Sequence, residues 1–297
     1  MTDLSIIIVS YRNSGVIGAC LRSIKNSKTK YTYEVLVHDN GSPDDTADIV
    51  ANEFPWAKLI RGKNIGFAGG NNTAIKQSNG RYILLLNPDT EVEEDTFEVM
   101  LDLMERRKDI GMATCKVVMD KGEIDKASRR SFPTPWVSFT KFSGLAALFP
   151  KSRVFNRYNL GCLSEDDEYE IDALVGAFQL TRREVVDKIG LLDERFFMYG
   201  EDIDWCYRCK QAGWKVYYYP KTKIFHHKGY SSKLSPLTLW EFHRAMVLFY
   251  KKHYQSKYPS LVNGLIYLAI YARYLIKARF KVFRPLREMS WPANQGR

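Results

Sequence analysis

Hydrophobic residues arrive in two rhythms along the first hundred positions. Short unbroken apolar runs, "LSIIIVSY" (4–11), "YEVLVHDN" (33–40), "AKLIRG" (57–62) and "RYILLLNP" (81–88), read as strands buried on both faces. Helical stretches near 15–27, 44–53, 68–78 and 94–107 separate them. This alternation predicts a βαβ series on a mostly parallel sheet. Helix starts are marked too: Ser42 and Asp44 precede the second helix, and "EEDTFEVMLDLMERR" sets acids in the first turn and bases in the last, complementing the helix dipole. "GMATCKVVMD" (111–120) adds another strand. From 120 to 170 the pattern gives way to Pro, Ser and aromatics, with the acidic run "SEDDEYE" near its end, which predicts loops over an active site.

Composition narrows the class. A chain of 297 residues with 45% hydrophobic content allows one enlarged α/β domain, or a core with an appendage. The net charge of +10 predicts an anionic partner: nucleic acid, nucleotide phosphate or an acidic membrane surface. Five cysteines at scattered spacings, and an N-terminus that runs straight into a strand, point to a reducing cytoplasm. Cys206 and Cys209 have redox spacing, but they fall in the amphipathic run "DIDWCYRCKQAG" with no second pair for zinc, so they read as ordinary helix residues.

The polar residues at strand ends carry the chemistry. Asp39 ends the second strand before an Asn40-Gly41-Ser42 turn, Asn87 and Asp89 follow the fourth, and Glu201 and Asp202 stand behind a glycine further on. Each alone is explained by capping. Together they bring three acidic clusters to one sheet edge, beside "NIGFAGGNN" (64–72), whose glycines clear side chains from a helix entrance. Carboxylates converging on a backbone-lined opening suit a metal and a phosphate.

"SIIIVSY", "DNGS", "NIGFAGGNN", "LLLNPDTEV", "GAFQLTRREVVDKIGLLDERFFMYGEDIDWCYR" and "HHKGYSS" stand in the order found in glycosyltransferase family 2, and over residues 4–232 the chain most resembles its bacterial rhamnosyltransferase branch. The resemblance implies a GT-A fold, inverting chemistry and a divalent cation, Mg²⁺ or Mn²⁺. It implies nucleotide binding by Tyr11, Asp39, Asn64, Gly66 and Asn87, with Asp39 accepting from a pyrimidine N3–H and Tyr11 flanking the ring. The metal signature takes the form Asn-x-Asp, leaving Asp89 as the direct ligand; Glu91 is a second ligand or, more simply, a solvated cap. Asp202 corresponds to the family's general base, Glu201 to a group that orients the acceptor or tunes its neighbour. Trp205 either stacks under a sugar ring or packs in the core. His226, with Gly229 and Ser231, fits the pattern His-x-x-Gly-x-Ser of a metal or diphosphate ligand, and His227 is its alternative. Arg129 and Arg130 suit bidentate phosphate contact or a solvated loop. Arg182 and Arg183 read as a helix start outside the site.

The last sixty residues differ. From Lys251 to Arg297 ten Lys or Arg stand against one acid, Glu288. The apolar run from Leu261 to Ile276, broken by Asn263 and Arg273, falls short of the roughly 20 residues that span a bilayer. A cationic, aromatic-rich helix pair lying on a membrane is predicted, the alternatives being a packed extension or a homodimer interface. The expected organisation is therefore a GT-A domain over 1–235, with a nucleotide half (1–115) and an acceptor half (116–235), and a basic helical extension over 236–297. The expected activity is transfer of L-rhamnose from dTDP-rhamnose to a saccharide linked to polyprenyl pyrophosphate, at the inner face of the cell membrane. Transfer from a UDP-sugar is the rival. Without a recognised nucleic-acid motif, nucleic-acid binding is set aside.

Overall fold

The computed structural model describes residues 2–227 and 236–282. The chain divides into two compact units, Met1–Lys233 and Leu234–Arg297; the expected boundary at 235 falls outside the described residues.

In the first unit, β1 (Leu4–Ser10), α1 (Ile17–Lys25), β2 (Tyr33–Asp39), α2 (Thr46–Glu53), β3 (Lys58–Arg61), α3 (Gly66–Ile75) and β4 (Tyr82–Leu86) follow the apolar pattern closely. They are succeeded by β5 (Thr90–Val92), α4 (Thr96–Arg106), β6 (Ile110–Met119), α5 (Pro135–Phe142), α6 (Leu145–Leu148), β7 (Tyr169–Ile171), β8 (Phe178–Arg182), α7 (Arg183–Ile189), α8 (Glu201–Gln211) and β9 (Lys215–His226). The sheet order is β3-β2-β1-β4-β8-β6-β9-β5, with β7 also paired to β9. Strands β1 to β4 are parallel, as expected. Beyond them the sheet is mixed: β8 runs antiparallel to both β4 and β6, and β5 and β7 run antiparallel to β9.

The unbroken apolar runs have a direct cause. Alternate residues of β1 serve opposite faces: Leu4, Ile6 and Ile8 join a core with Leu21 of α1 and Phe97 and Leu101 of α4, while Ile7 joins Ala68 and Ile75 of α3 and Trp205 of α8. With helices on both sides, no position of the strand faces water. Helix α3 lies close to the sheet because of Gly70, where a Cβ would stand 2.9 Å from Val9 Cγ1.

This arrangement positions the site. In the parallel register Ser10 lies beside Asp39, and Ile8 beside Leu86, so β1, β2 and β4 end together. The region expected to be loops contains α5, α6 and a turn of 3-10 helix at Lys126–Ser128, and returns to the sheet through β7.

In the second unit, α9 (Pro236–His253) and α10 (Ser260–Val282) form an antiparallel hairpin. Trp240 meets Tyr274 edge-on at 5.5 Å, and Tyr250 meets Tyr267 at 5.7 Å. Asn263 ties the connection, its Nδ2 donating to the carbonyls of Gln255 (3.0 Å) and Tyr258 (3.1 Å). The expectation that this residue and Arg273 leave the apolar run too short is corrected. The 20-residue stretch Ser260–Arg279 is long and apolar enough, by length and composition, to cross a membrane, and little of it is buried.

Candidate active site

The C-terminal ends of β1, β2 and β4 present Tyr11, Asp39 and Asn87 on one edge. Asp39 is buried; its Oδ2 accepts from the Ser42 N–H at 2.9 Å and its Oδ1 from the Ser10 hydroxyl at 3.4 Å. The same side chain thus closes the turn and stands at the rim. Tyr11 is half-buried, its N–H bonded to Asn13 Oδ1 at 2.8 Å, with the Arg12 guanidinium 5.5 Å from its ring centre. Asn87 is tied through its backbone, donating to the Ala177 carbonyl at 3.2 Å and accepting from the Thr90 hydroxyl at 2.7 Å.

At the entrance of α3 the backbone is already engaged. Asn64 Oδ1 accepts the Gly66 N–H at 3.1 Å, and the Phe67 N–H donates to the Phe197 carbonyl at 2.7 Å. Gly66 adopts φ +82°, and a Cβ there would stand 2.4 Å from Phe197 O. The Phe67 N–H and the space beside Gly66 are thus taken by Phe197, in the chain segment ahead of α8. Asn72, which the sequence reading passes over, clamps that segment: it donates to the Leu192 carbonyl and to Glu194 and accepts the Leu192 N–H. Asn72, Gly66 and the Phe67 N–H therefore seat the loop that delivers the acids of α8.

Glu201 and Asp202 open α8 behind Tyr199 (φ +69°) and Gly200 (φ +86°), two successive left-handed residues. A non-glycine residue in that region costs on the order of 1–3 kcal/mol, which the surrounding clamp holds in place. The acids stand in the first helical turn, where the dipole favours them. Asp202 pairs with Arg130, Oδ2 to Nη2 at 2.6 Å, both side chains about nine-tenths buried. Its Oδ1 accepts the Ile203 N–H at 2.8 Å. Arg130 also donates to the Leu174 carbonyl. Glu201 is buried, and its Oε2 makes no hydrogen bond. Burial, and then the charge of Asp202, push its carboxyl up to about 8.

A second group lies where β4 leaves the sheet. The pairing of β5 with β9 puts Thr90 opposite His226. As a result His226 Nε2 stands 3.3 Å from Asp89 Oδ1, and its Nδ1 faces Asp125 Oδ2 at 3.6 Å; all three residues are buried. Adjacent oxygen and nitrogen ligands of an octahedral cation, each roughly 2.1 Å from it, stand about 3 Å apart, so the Asp89 and His226 atoms fit a shared small divalent ion. Asp125 thus stands on the side of the far ring nitrogen, where a carboxylate can orient a ligating histidine, at a separation longer than a hydrogen bond. Among the described residues no cluster of three or more His, Cys, Asp or Glu forms a metal cage. Such an ion would complete its shell from oxygens outside the protein. Asp125 is a residue the sequence reading missed, since it lies 36 residues from Asp89 inside the patternless region. Gly229 and Ser231 lie outside the described residues.

Other expected residues stand elsewhere. His227 bonds Asp120 and, at 2.9 Å, Glu91; burial opposes its charged form, but these two carboxylates outweigh it and raise its pKa. Glu91 is thereby the partner of a histidine. Trp205 is fully buried, its Nε1 donating to the Gly190 carbonyl at 2.9 Å, so its ring is a core element and presents no face to a sugar. Arg129 donates to the carbonyls of Leu163 and Ser164, to Tyr169 and to Glu165. Arg182 donates to the carbonyls of Ile110, Met104 and Arg107, outside the site.

A parallel α/β half-sheet continued by a mixed half, with acids at the strand ends and a buried Glu-Asp pair opening a later helix, defines a GT-A glycosyltransferase. The chain belongs to glycosyl transferase family 2, whose model matches residues 5–190. It is 27% identical over 263 residues to the N-acetylglucosaminyl-diphospho-decaprenol L-rhamnosyltransferase of Mycobacterium tuberculosis, covering 84% of each chain. It is 24% identical to rhamnosyltransferase WbbL of Escherichia coli, over 77% of this chain and 84% of that one. Among solved structures, S. aureus TarS 1–349 matches with a TM-score of 0.56 at 13% identity, covering 97% of this chain and 77% of that one.

Proposed function

We propose that the protein is an inverting, metal-dependent rhamnosyltransferase that moves L-rhamnose from dTDP-rhamnose to a saccharide carried on polyprenyl pyrophosphate, in cell-surface polysaccharide synthesis. The observation that carries the chemistry is the buried pairing of Asp202 with Arg130 at the start of α8. The sugar and the carrier are supported by the two relatives named for rhamnosyl transfer, one of them on a diphospho-decaprenol.

In this reading Asp39 accepts from the pyrimidine, and Tyr11 flanks it. Asp202 takes the proton of the acceptor hydroxyl as its oxygen attacks the anomeric carbon and the bond to the diphosphate breaks; such a base contributes about 10²- to 10⁴-fold. Arg130 and the Ile203 N–H hold the two carboxylate oxygens in one orientation. Glu201, which keeps its proton at neutral pH, has an acid hydrogen to offer the acceptor. Asp89 and His226 would hold the Mg²⁺ or Mn²⁺ ion, which when bound neutralises charge on the diphosphate. The second unit brings the enzyme to the anionic cytoplasmic surface of the membrane, a reading supported by the exposed Leu261, Leu265, Leu268 and Leu275 of α10 with Lys277 and Arg279 close by.

Incubation with a panel of nucleotide sugars, with and without metal, tests this. Nucleotide should be released from dTDP-rhamnose, lost in excess chelator and restored by Mg²⁺ or Mn²⁺, and Asp89→Ala should weaken donor binding as well as rate. Preference for a UDP-sugar would replace the donor assignment. Undiminished turnover in chelator would remove the metal.

A further inference from the structure

Residues 132–161 leave the sheet and return without joining it, and they expose apolar side chains in a way the other described residues of the first unit do not. Pro135 and Thr134 start α5, the Thr134 hydroxyl accepting the Val137 N–H; Gly144, at φ +89°, turns the chain into α6. Along this path Trp136, Phe139, Phe142, Leu148, Phe149 and Val154 stand exposed, Leu148 by 73% and Phe139 by 56%. Trp136 and Phe139 pack ring against ring at 5.9 Å, and Phe149 against Phe155 at 5.2 Å. The same thirty residues hold four bases, Lys141, Lys151, Arg153 and Arg157, and no acid. Lys151, Arg153 and Arg157 are exposed.

We infer that this excursion is a membrane-docking face of the catalytic unit itself, whose occupant is the headgroup region of an anionic bilayer. Exposed aromatic side chains interspersed with bases suit that region, where rings sit at the headgroup level and each base gains from the negative surface. A protein partner fits less well. Interfaces between proteins deplete lysine, and Lys151 stands exposed on this face.

The root of the excursion gives the docking a purpose. Arg130 and Ala173 exchange backbone hydrogen bonds at 2.9 Å, the Ser131 N–H donates to the Tyr158 carbonyl, and the Phe132 N–H to Asp172. Two residues before Phe132, the Arg130 side chain holds Asp202. A bilayer resting on α5 and α6 would therefore lie beside the carboxylate that must meet a lipid-borne acceptor. That link rests on the proposed role of Asp202; the docking does not.

Co-sedimentation of the full chain with phosphatidylcholine vesicles, with and without phosphatidylglycerol, tests the inference. Wild type should bind the anionic vesicles in a salt-sensitive way. Trp136→Ser with Phe139→Ser, and separately Lys151→Gln with Arg153→Gln, should each weaken binding roughly tenfold or more, with unchanged melting temperature and unchanged transfer to a water-soluble acceptor. The second pair alters only exposed charges and keeps the test decisive should the first perturb folding. Lys277→Gln with Arg279→Gln, in α10, reports the contribution of the second unit separately. Binding by both excursion variants within twofold of wild type overturns the inference. Loss of self-association in those variants, seen by sedimentation velocity without vesicles, assigns the face to a second copy and overturns it equally. Vesicle binding requires neither donor nor acceptor, so a wrong sugar assignment leaves the result intact.

Discussion

Two adjacent carboxyls open α8, and their surroundings treat them differently. Asp202 meets a guanidinium; Glu201 has a buried oxygen without a hydrogen bond and a carboxyl pushed up to about 8. In the unfolded chain Glu201 ionises near 4.5, so between that value and about 8 the unfolded state binds fewer protons and stability falls as pH rises. Glu201→Gln removes this dependence. The variant should match wild type below the unfolded pKa and gain stability as pH rises toward 8, by an amount on the order of a few kcal/mol, read from urea unfolding at several pH values. A stability difference independent of pH would mean that Glu201 is ionised throughout. Adjacency of the two acids was legible in "YGEDIDW"; their inequality was not, because it depends on Arg130, 72 positions away.

At the scale of elements, what the sequence revealed follows from periodicity. β1, β2 and β4 are continuous apolar runs because helices cover both faces, and they were readable to within a residue or two. β5 was not, since three residues carry no period, yet its pairing with β9 is what brings His226 beside Asp89. β9 carries Pro220 in its interior. It continues to His226 because its ladder with β6 shifts register between Thr114 and Lys116, where a residue lacking an N–H is tolerated. Trp205 could not be assigned from spacing, since a helix start offers a site face and a core face one turn apart. Its place in the core makes a definite prediction. Trp205→Ala should cost about 3–5 kcal/mol in stability, whereas Trp205→Phe, assayed below its melting temperature, should leave the acceptor KM unchanged; a KM raised tenfold without loss of stability would return the ring to the acceptor site.

At the scale of the whole molecule, the strand-end acids lie on a mixed sheet whose parallel half ends in Asp39, Asn87 and Asp89, while the later half delivers Asp202 and His226 by antiparallel returns. Sequence order and the family resemblance singled out these residues as candidates before any contact between them was visible. They did not disclose Asp125 or Asn72, whose roles arise from chain segments folded against each other over long separations. The central claim is that the carboxylate of Asp202 receives the acceptor proton. Its most direct test is dTDP release from dTDP-rhamnose in the presence of a diphospho-lipid-linked N-acetylglucosamine acceptor, measured for wild type and Asp202→Asn alongside donor binding. The account predicts a loss of at least about 10²-fold in turnover with donor affinity nearly unchanged. Turnover by the folded variant within about tenfold of wild type, less than a general base supplies, would contradict it.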